Sequence, residues 1–291
     1  MTLRTVEAVL PPPAPHMVGD GFRVSNFFPG GYRMAQDRLS PFFLLDYNAP
    51  VDFSAREHPR GVGVHPHRGF ETVTFAFKGR VAHHDSAGHS GVIGEGDVQW
   101  MTAGSGVLHK EYHEQAYSRT GGPFHMAQLW VNLPAKHKME APRYQAITRA
   151  SMAKVQLPDG KSIARVVAGN LFGATGPAKT WSPIVAAVLE VADNGSVAFD
   201  LPMHFNGMLL VVEGTAEVNG NAAPNDHLVV FKNDGERVEV RSTSGATLLL
   251  LSGEPLNEPI AAYGPFLMNT HEELEQAFRD VAAGKFGRLE D

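Results

Sequence analysis

The chain has 291 residues, 43% of them hydrophobic and 19% charged, with a net charge of −6. That balance describes a globular protein long enough for two domains and excludes a disordered chain. There is no cysteine, so disulfides and thiolate metal sites are excluded, and the 25 basic residues form no run that would suit direct nucleic-acid binding.

In chain order, the first landmark is Pro11-Pro12-Pro13, which stands where a signal peptide would need an apolar core. No stretch approaches membrane-spanning length, so a cytoplasmic protein without membrane contact is expected. Short apolar runs closed by glycine follow: 71–77 before Gly79, 91–93 before Gly94 and 98–102 before Gly104. Runs at 127–133, 184–191, 208–212 (before Gly214) and 247–251 continue the pattern. Strands of this length and spacing predict an all-β sandwich or barrel architecture. One helix is predicted near the end, over 271–283. Thr270 and Glu273 form a capping box, Leu274, Phe278 and Val281 recur at helical spacing, and Gly284 closes the element. Its apolar stripe is expected to pack on a barrel.

A faint repeat underlies the strands. Residues 72–83 (TVTFAFKGRVAH) resemble 207–218 (GMLLVVEGTAEV) with Gly79 matching Gly214, and Gly96-Asp97-Val98 resembles Asn225-Asp226-His227. Two β units in tandem account for the length. Their junction lies in the polar stretch 135–180, and the division is taken as 1–140 and 141–291. Ten of the fourteen histidines fall between His58 and His137, so the chemistry is assigned to the first unit.

Within it, His65-Pro66-His67 and His109-Lys110-Glu111 carry the strongest signal. Residues i and i+2 of a strand share a face, so each pair can aim at one point. If the strands pair, three imidazoles and a carboxylate converge, a donor set suited to iron(II), manganese, nickel, copper or zinc. The alternative is a set of hydrogen-bonded barrel histidines. Glu71 competes with Glu111 for the carboxylate position; Glu111 is preferred, with Glu71 supporting or structural. His83, His84 and His89 surround a turn and are read as facing solvent. His113 continues the phase of His109 and Glu111 and is a lesser candidate for the cavity mouth. His125 is open between cavity and core, His58 is a loop residue, and Phe70, Trp100 and Trp130 are read as core. In the repeat alignment, His65, His67, His109 and Glu111 fall near Asp200, Pro202, Val238 and Val240, so the second unit lacks evident ligands.

The stretch HPHRGFETVTFAFKGRVAHHDSAGHSGVIGEGDVQWMTAGSGVLHKE (65–111) resembles the pirin family of the cupin superfamily, as does GEPLNEPIAAYGPFLMNTHEELEQAFRDVAAGKFG (253–287). The resemblance implies two tandem cupin barrels (double-stranded β-helix, or jelly-roll) and a C-terminal helix. It implies an Fe(2+) site in the first barrel, held by His65, His67, His109 and Glu111, which decides against Glu71 as ligand. The chain departs from general cupin motifs at Pro59 and at Thr102-Ala103-Gly104. Two functions are implied: quercetin 2,3-dioxygenase activity on a small aromatic substrate with O2, or regulation through a transcriptional or metabolic protein partner. The enzyme is favoured, because four ligands on an octahedral ion leave up to two positions open. Glu111 then both ligates and accepts the proton of a flavonol hydroxyl. A metal-stabilised barrel without turnover is the third possibility.

Overall fold

The runs of valine, leucine, isoleucine and phenylalanine become strands, and these pair antiparallel throughout the two main barrels. The computed structural model describes residues 2–290 and is mostly β. Contacts divide it into two units, neither of them continuous in sequence.

The first barrel is formed by Ala14–Arg33, Phe42–Thr148 and the chain from Leu256 onward. It has a seven-stranded sheet in the order Arg143–Ile147, Val98–Thr102, Phe70–Lys78, Gly122–Asn132, Phe42–Phe53, Phe22–Phe28 and His16–Val18. Its four-stranded sheet runs Gly61–His67, Val107–His113, Val81–Asp85 and Ser90–Ile93. The second barrel takes the N-terminal segment to Pro13, Met34–Pro41 and Arg149–Pro255. It repeats the layout with a seven-stranded sheet from Val6–Leu10 to Ala153–Gln156 and a four-stranded sheet of Gly195–Asp200, Arg237–Ser242, Ala216–Val218 and Asn221–Ala223.

The repeat seen in the sequence is therefore real in three dimensions. Gly79 and Gly214 end equivalent strands at φ +84° and +77°, a left-handed conformation that glycine adopts without steric cost. The expected alignment slips by one residue elsewhere. His109 lies opposite His65, whereas Val238 lies opposite Phe199, so Phe199 and not Asp200 is the counterpart of His65. Likewise the left-handed turn residue matching Gly96 is Asp226 and not Asn225.

Grouped by contacts, the chain does not divide at a single point near 140. Each barrel needs an edge strand for its large sheet. In the first this is Arg143–Ile147, and in the second it is Val6–Leu10, which pairs with Leu228–Phe231 from the opposite end of the unit. The buried Arg4 guanidinium fastens the same segment by donating to the carbonyls of Gly235, Phe205 and Pro202.

The helix forms as the capping box requires, over His271–Ala282, with Thr270 accepting from the Glu273 amide and Glu273 accepting from that of Thr270. Its contacts group it with the first barrel, not with the second that precedes it in sequence. Leu274 and Ala277 are buried against the hairpin Ala261–Tyr263/Phe266–Met268, while Phe278 of the expected stripe stays 42% exposed beside Tyr263. Among the described residues, no helix is long and apolar enough to cross a membrane.

Candidate metal centre

The four-stranded sheet of the first barrel builds the site. His109 lies directly opposite His65 on one neighbouring strand and opposite Asp85 on the other. Glu111 lies opposite Val62 and His83, with an irregularity in register between His109 and Glu111 on the Gly61–His67 side. Period-2 alternation then puts His65, His67, His109, Glu111, His83 and Asp85 on the same inward face.

The three imidazoles of His65, His67 and His109 meet, with ring centroids 4.2–4.7 Å apart and one potential ligand nitrogen from each within 4.8 Å of the others. Their outer nitrogens are engaged: His65 Nδ1 lies 2.8 Å from the Gly63 carbonyl and His67 Nδ1 3.4 Å from that of Pro265. His109 Nδ1 faces His83 Nδ1 at 3.4 Å, which leaves its Nε2 buried without a hydrogen-bond partner. Burial, reinforced by neighbouring imidazoles, holds His67 and His109 well below the ordinary histidine pKa. Both are therefore neutral at neutral pH, the form that ligates. Three converging imidazoles, those of His67 and His109 neutral, and an orphaned buried nitrogen fit a divalent cation.

Glu111 lies beside this cluster and forms a second close group with His109 and His83. Its Oε1 accepts from Gln99 (3.1 Å) and its Oε2 from Gln128 (2.7 Å). Both glutamines belong to a polar row across the large sheet, where Asn26, Asp46, Gln128, Thr74 and Gln99 lie successively opposite one another. Asp46 accepts from Asn26 at 2.7 Å, and burial raises its carboxyl above the usual range. Nothing in the sequence pattern singled out this row, because only the strand register brings its members together.

A cavity of about 250 Å³ opens onto the cluster, lined by His65, His67, Glu111, Gln128, Asp46 and the apolar side chains of Val18, Phe22, Val24, Leu44, Val62 and Met126. Trp130 lines it too, stacked on Phe70 at 4.1 Å and edge-on to His67, so it is a cavity wall and not only core. Gly264 and Pro265 of the C-terminal hairpin close one side. A wider depression of about 760 Å³ on the second barrel, around Thr215, Glu217 and Arg241, includes no histidine in its lining. The histidines of the cluster border the smaller cavity.

Other expected positions resolve as follows. Glu71 points to the opposite face of the large sheet: it lies opposite Thr102 and accepts its hydroxyl at 2.6 Å, while the adjacent Thr72 shares the inward face of Trp130. Burial raises its carboxyl to about 7. The chain turns between sheets at Gly69 (φ +89°), so alternation does not carry over from His67. His83 corrects the expectation of solvent exposure, being fully buried behind His109. His-x-Asp at 83–85 repeats the two-residue spacing of His65-x-His67 and His109-x-Glu111, a signal present in the sequence. His84 and His89 remain partly exposed, and His58 is exposed in a loop. His113 is buried among Phe22, Phe53 and Phe124, with Nε2 2.8 Å from the Gly21 carbonyl, and does not line the cavity. His125 is a buried imidazole, 2.9 Å from the Tyr47 hydroxyl and lowered to about 4 by burial.

Family models for pirin and for the pirin C-terminal cupin domain match residues 21–131 and 186–287. The chain belongs to the pirin family. It is 46% identical to a Pseudomonas aeruginosa protein named "Putative quercetin 2,3-dioxygenase PA2418", covering 94% of this chain and 95% of that one. It is 40% identical to a pirin-like protein of Caulobacter vibrioides over 85% of this chain and 88% of the other. A crystal structure described as quercetin 2,3-dioxygenase from Acinetobacter baumannii superposes with a TM-score of 0.93 at 41% identity, covering 99% of this chain and all of the other. The fold is thus two pirin cupin domains, with a histidine and glutamate cluster able to hold a metal in the first.

Proposed function

We propose that this pirin is an iron(II)-dependent dioxygenase that opens the ring of flavonol-type aromatics, with His65, His67, His109 and Glu111 as the metal ligands. The observation that carries the reading is the convergence of three imidazoles beside a doubly braced carboxylate, at the wall of a largely apolar cavity. The name of the Pseudomonas relative supports the same reaction class.

A divalent ion held there would acidify a phenolic hydroxyl and leave coordination positions for substrate and dioxygen. The chain's own residues do the rest. Trp130, Met126, Leu44 and Phe22 present apolar walls that exclude water and orient a flat ring. The amides of Gln99 and Gln128 hold Glu111 in place and leave one lone pair on each carboxylate oxygen, one to hold the metal and the other to take the substrate's hydroxyl proton. At about 250 Å³ the cavity lies below the roughly 300 Å³ at which ordinary ligand sites begin. That favours a slim planar substrate over a bulky one. The absence of cysteine agrees with work in a reducing cytoplasm.

The test is consumption of quercetin and of dioxygen by iron-loaded protein. Turnover that disappears in His109→Ala supports the proposal. Equal rates in the wild type and the variant, or none in either, overturn it.

A further inference from the structure

Behind His109 lies a second set of buried groups that the reaction does not use. The Asp85 side chain is wholly buried; its Oδ1 accepts from the amides of Ala87 and His89, both at 2.9 Å. Burial opposes its charge, but hydrogen bonds from His83 and His89 outweigh that and hold the carboxyl below the usual range. Its Oδ2 faces His83 Nε2 at 3.4 Å, and His83 Nδ1 faces His109 Nδ1 at 3.4 Å. Tyr144 stacks on the His83 ring, centroids 5.2 Å apart and 15° from parallel.

We propose that Asp85 and His83 are positioning residues that fix the tautomer of His109. The proposal rests on the metal reading above only for its purpose, since the tautomer itself exists without a metal. A carboxylate is acceptor-only, so Asp85 takes a hydrogen from Nε2 of His83, and a His83 ring with a single hydrogen then has its lone pair on Nδ1. Two facing lone pairs would repel; His109 therefore carries its hydrogen on Nδ1. Its remaining lone pair, on the buried and unpartnered Nε2, is then directed at the cluster. The same geometry explains why His83, His109 and Glu111 form a second close group: His83 clamps a ligand and does not act as one.

The polarity of the chain gives the test. Asp85→Asn can turn an amide N–H toward His83 and reverse every donor along the chain, whereas His83→Gln keeps the order, with its amide donating to Asp85 and its carbonyl accepting from His109. His83→Phe removes both contacts. Nitrogen-15 NMR of the metal-free proteins should find His109 protonated on Nδ1 in the wild type and in His83→Gln, and on Nε2 in Asp85→Asn. Titration with cobalt(II) against a chelator should show affinity about 10–100-fold weaker in His83→Phe and Asp85→Asn, with His83→Gln close to wild type. Wild-type His109 protonated on Nε2, or one tautomer shared by all three proteins, overturns the proposal. So does a wild-type-like cobalt affinity in His83→Phe, or the loss of one coordinating nitrogen in that variant, which would make His83 a ligand. Wild-type protein that takes up no cobalt refutes the metal reading instead and leaves the tautomer result to stand or fall by itself.

Discussion

The two barrels share one layout and differ in what fills them. In the second, Val197, Phe199, Val238 and Val240 face inward from the small sheet and join Leu209, Leu248 and Leu250 in a hydrocarbon core. In the first, the corresponding strands carry His65, His109 and Glu111, and a polar row on the large sheet braces Glu111. A barrel of this kind can spend its interior on cohesion or on a site. Having two allows the first to keep ionisable groups where packing alone would put leucine, with Glu111 held there by two amide donors.

The sharpest way to break the comparison is to exchange counterparts. Val240→Glu puts an unpaired carboxylate among hydrocarbon side chains, and a loss of about 3–5 kcal/mol is expected in urea unfolding. Glu111→Val should leave folding nearly intact while reducing metal content on elemental analysis; unchanged metal content would remove Glu111 from the ligand set. Next, Leu250→Ala opens a cavity in the second core and should cost about 2–5 kcal/mol with bound metal per chain unchanged.

A third contrast concerns pH. Glu71 and Asn206 occupy equivalent positions, and both are buried. Asn206 is neutral and donates to the carbonyls of Asp37 and Ser40, whereas the Glu71 carboxyl is raised to about 7. Between its ordinary value and 7 the folded state binds the proton and the unfolded state does not. Its stabilising contribution is therefore full below about 4.5 and lost as pH rises through 7, an effect on the order of 3 kcal/mol. Unfolding followed between pH 4.5 and 8 should show that slope in the wild type and a flatter one in Glu71→Gln; equal slopes would show that Glu71 ionises freely. The smallest effect is expected from Gln128→Leu, which removes one brace of Glu111 and should weaken metal binding about tenfold. An unaltered affinity would mean that Gln99 suffices.

The sequence alone determined much of this. Two-residue spacing in His65-x-His67 and His109-x-Glu111 implied a shared face, and the runs before Gly79 and Gly214 implied two β units. The capping box placed the helix to within a residue. These are local signals, since strand alternation and helix capping act over a few residues. Three things waited for the tertiary structure. The exchange of terminal segments depends on which sheet edge is left open, and no local pattern encodes that. The parity of Glu71 depends on the turn at Gly69, where the chain changes sheets. The bracing of the site by Gln99, Gln128, His83 and Asp85 depends on strand register, which brings together residues 12 to 26 positions apart in the chain. Alternation tells which way a side chain faces; only the pairing of strands tells what it meets there.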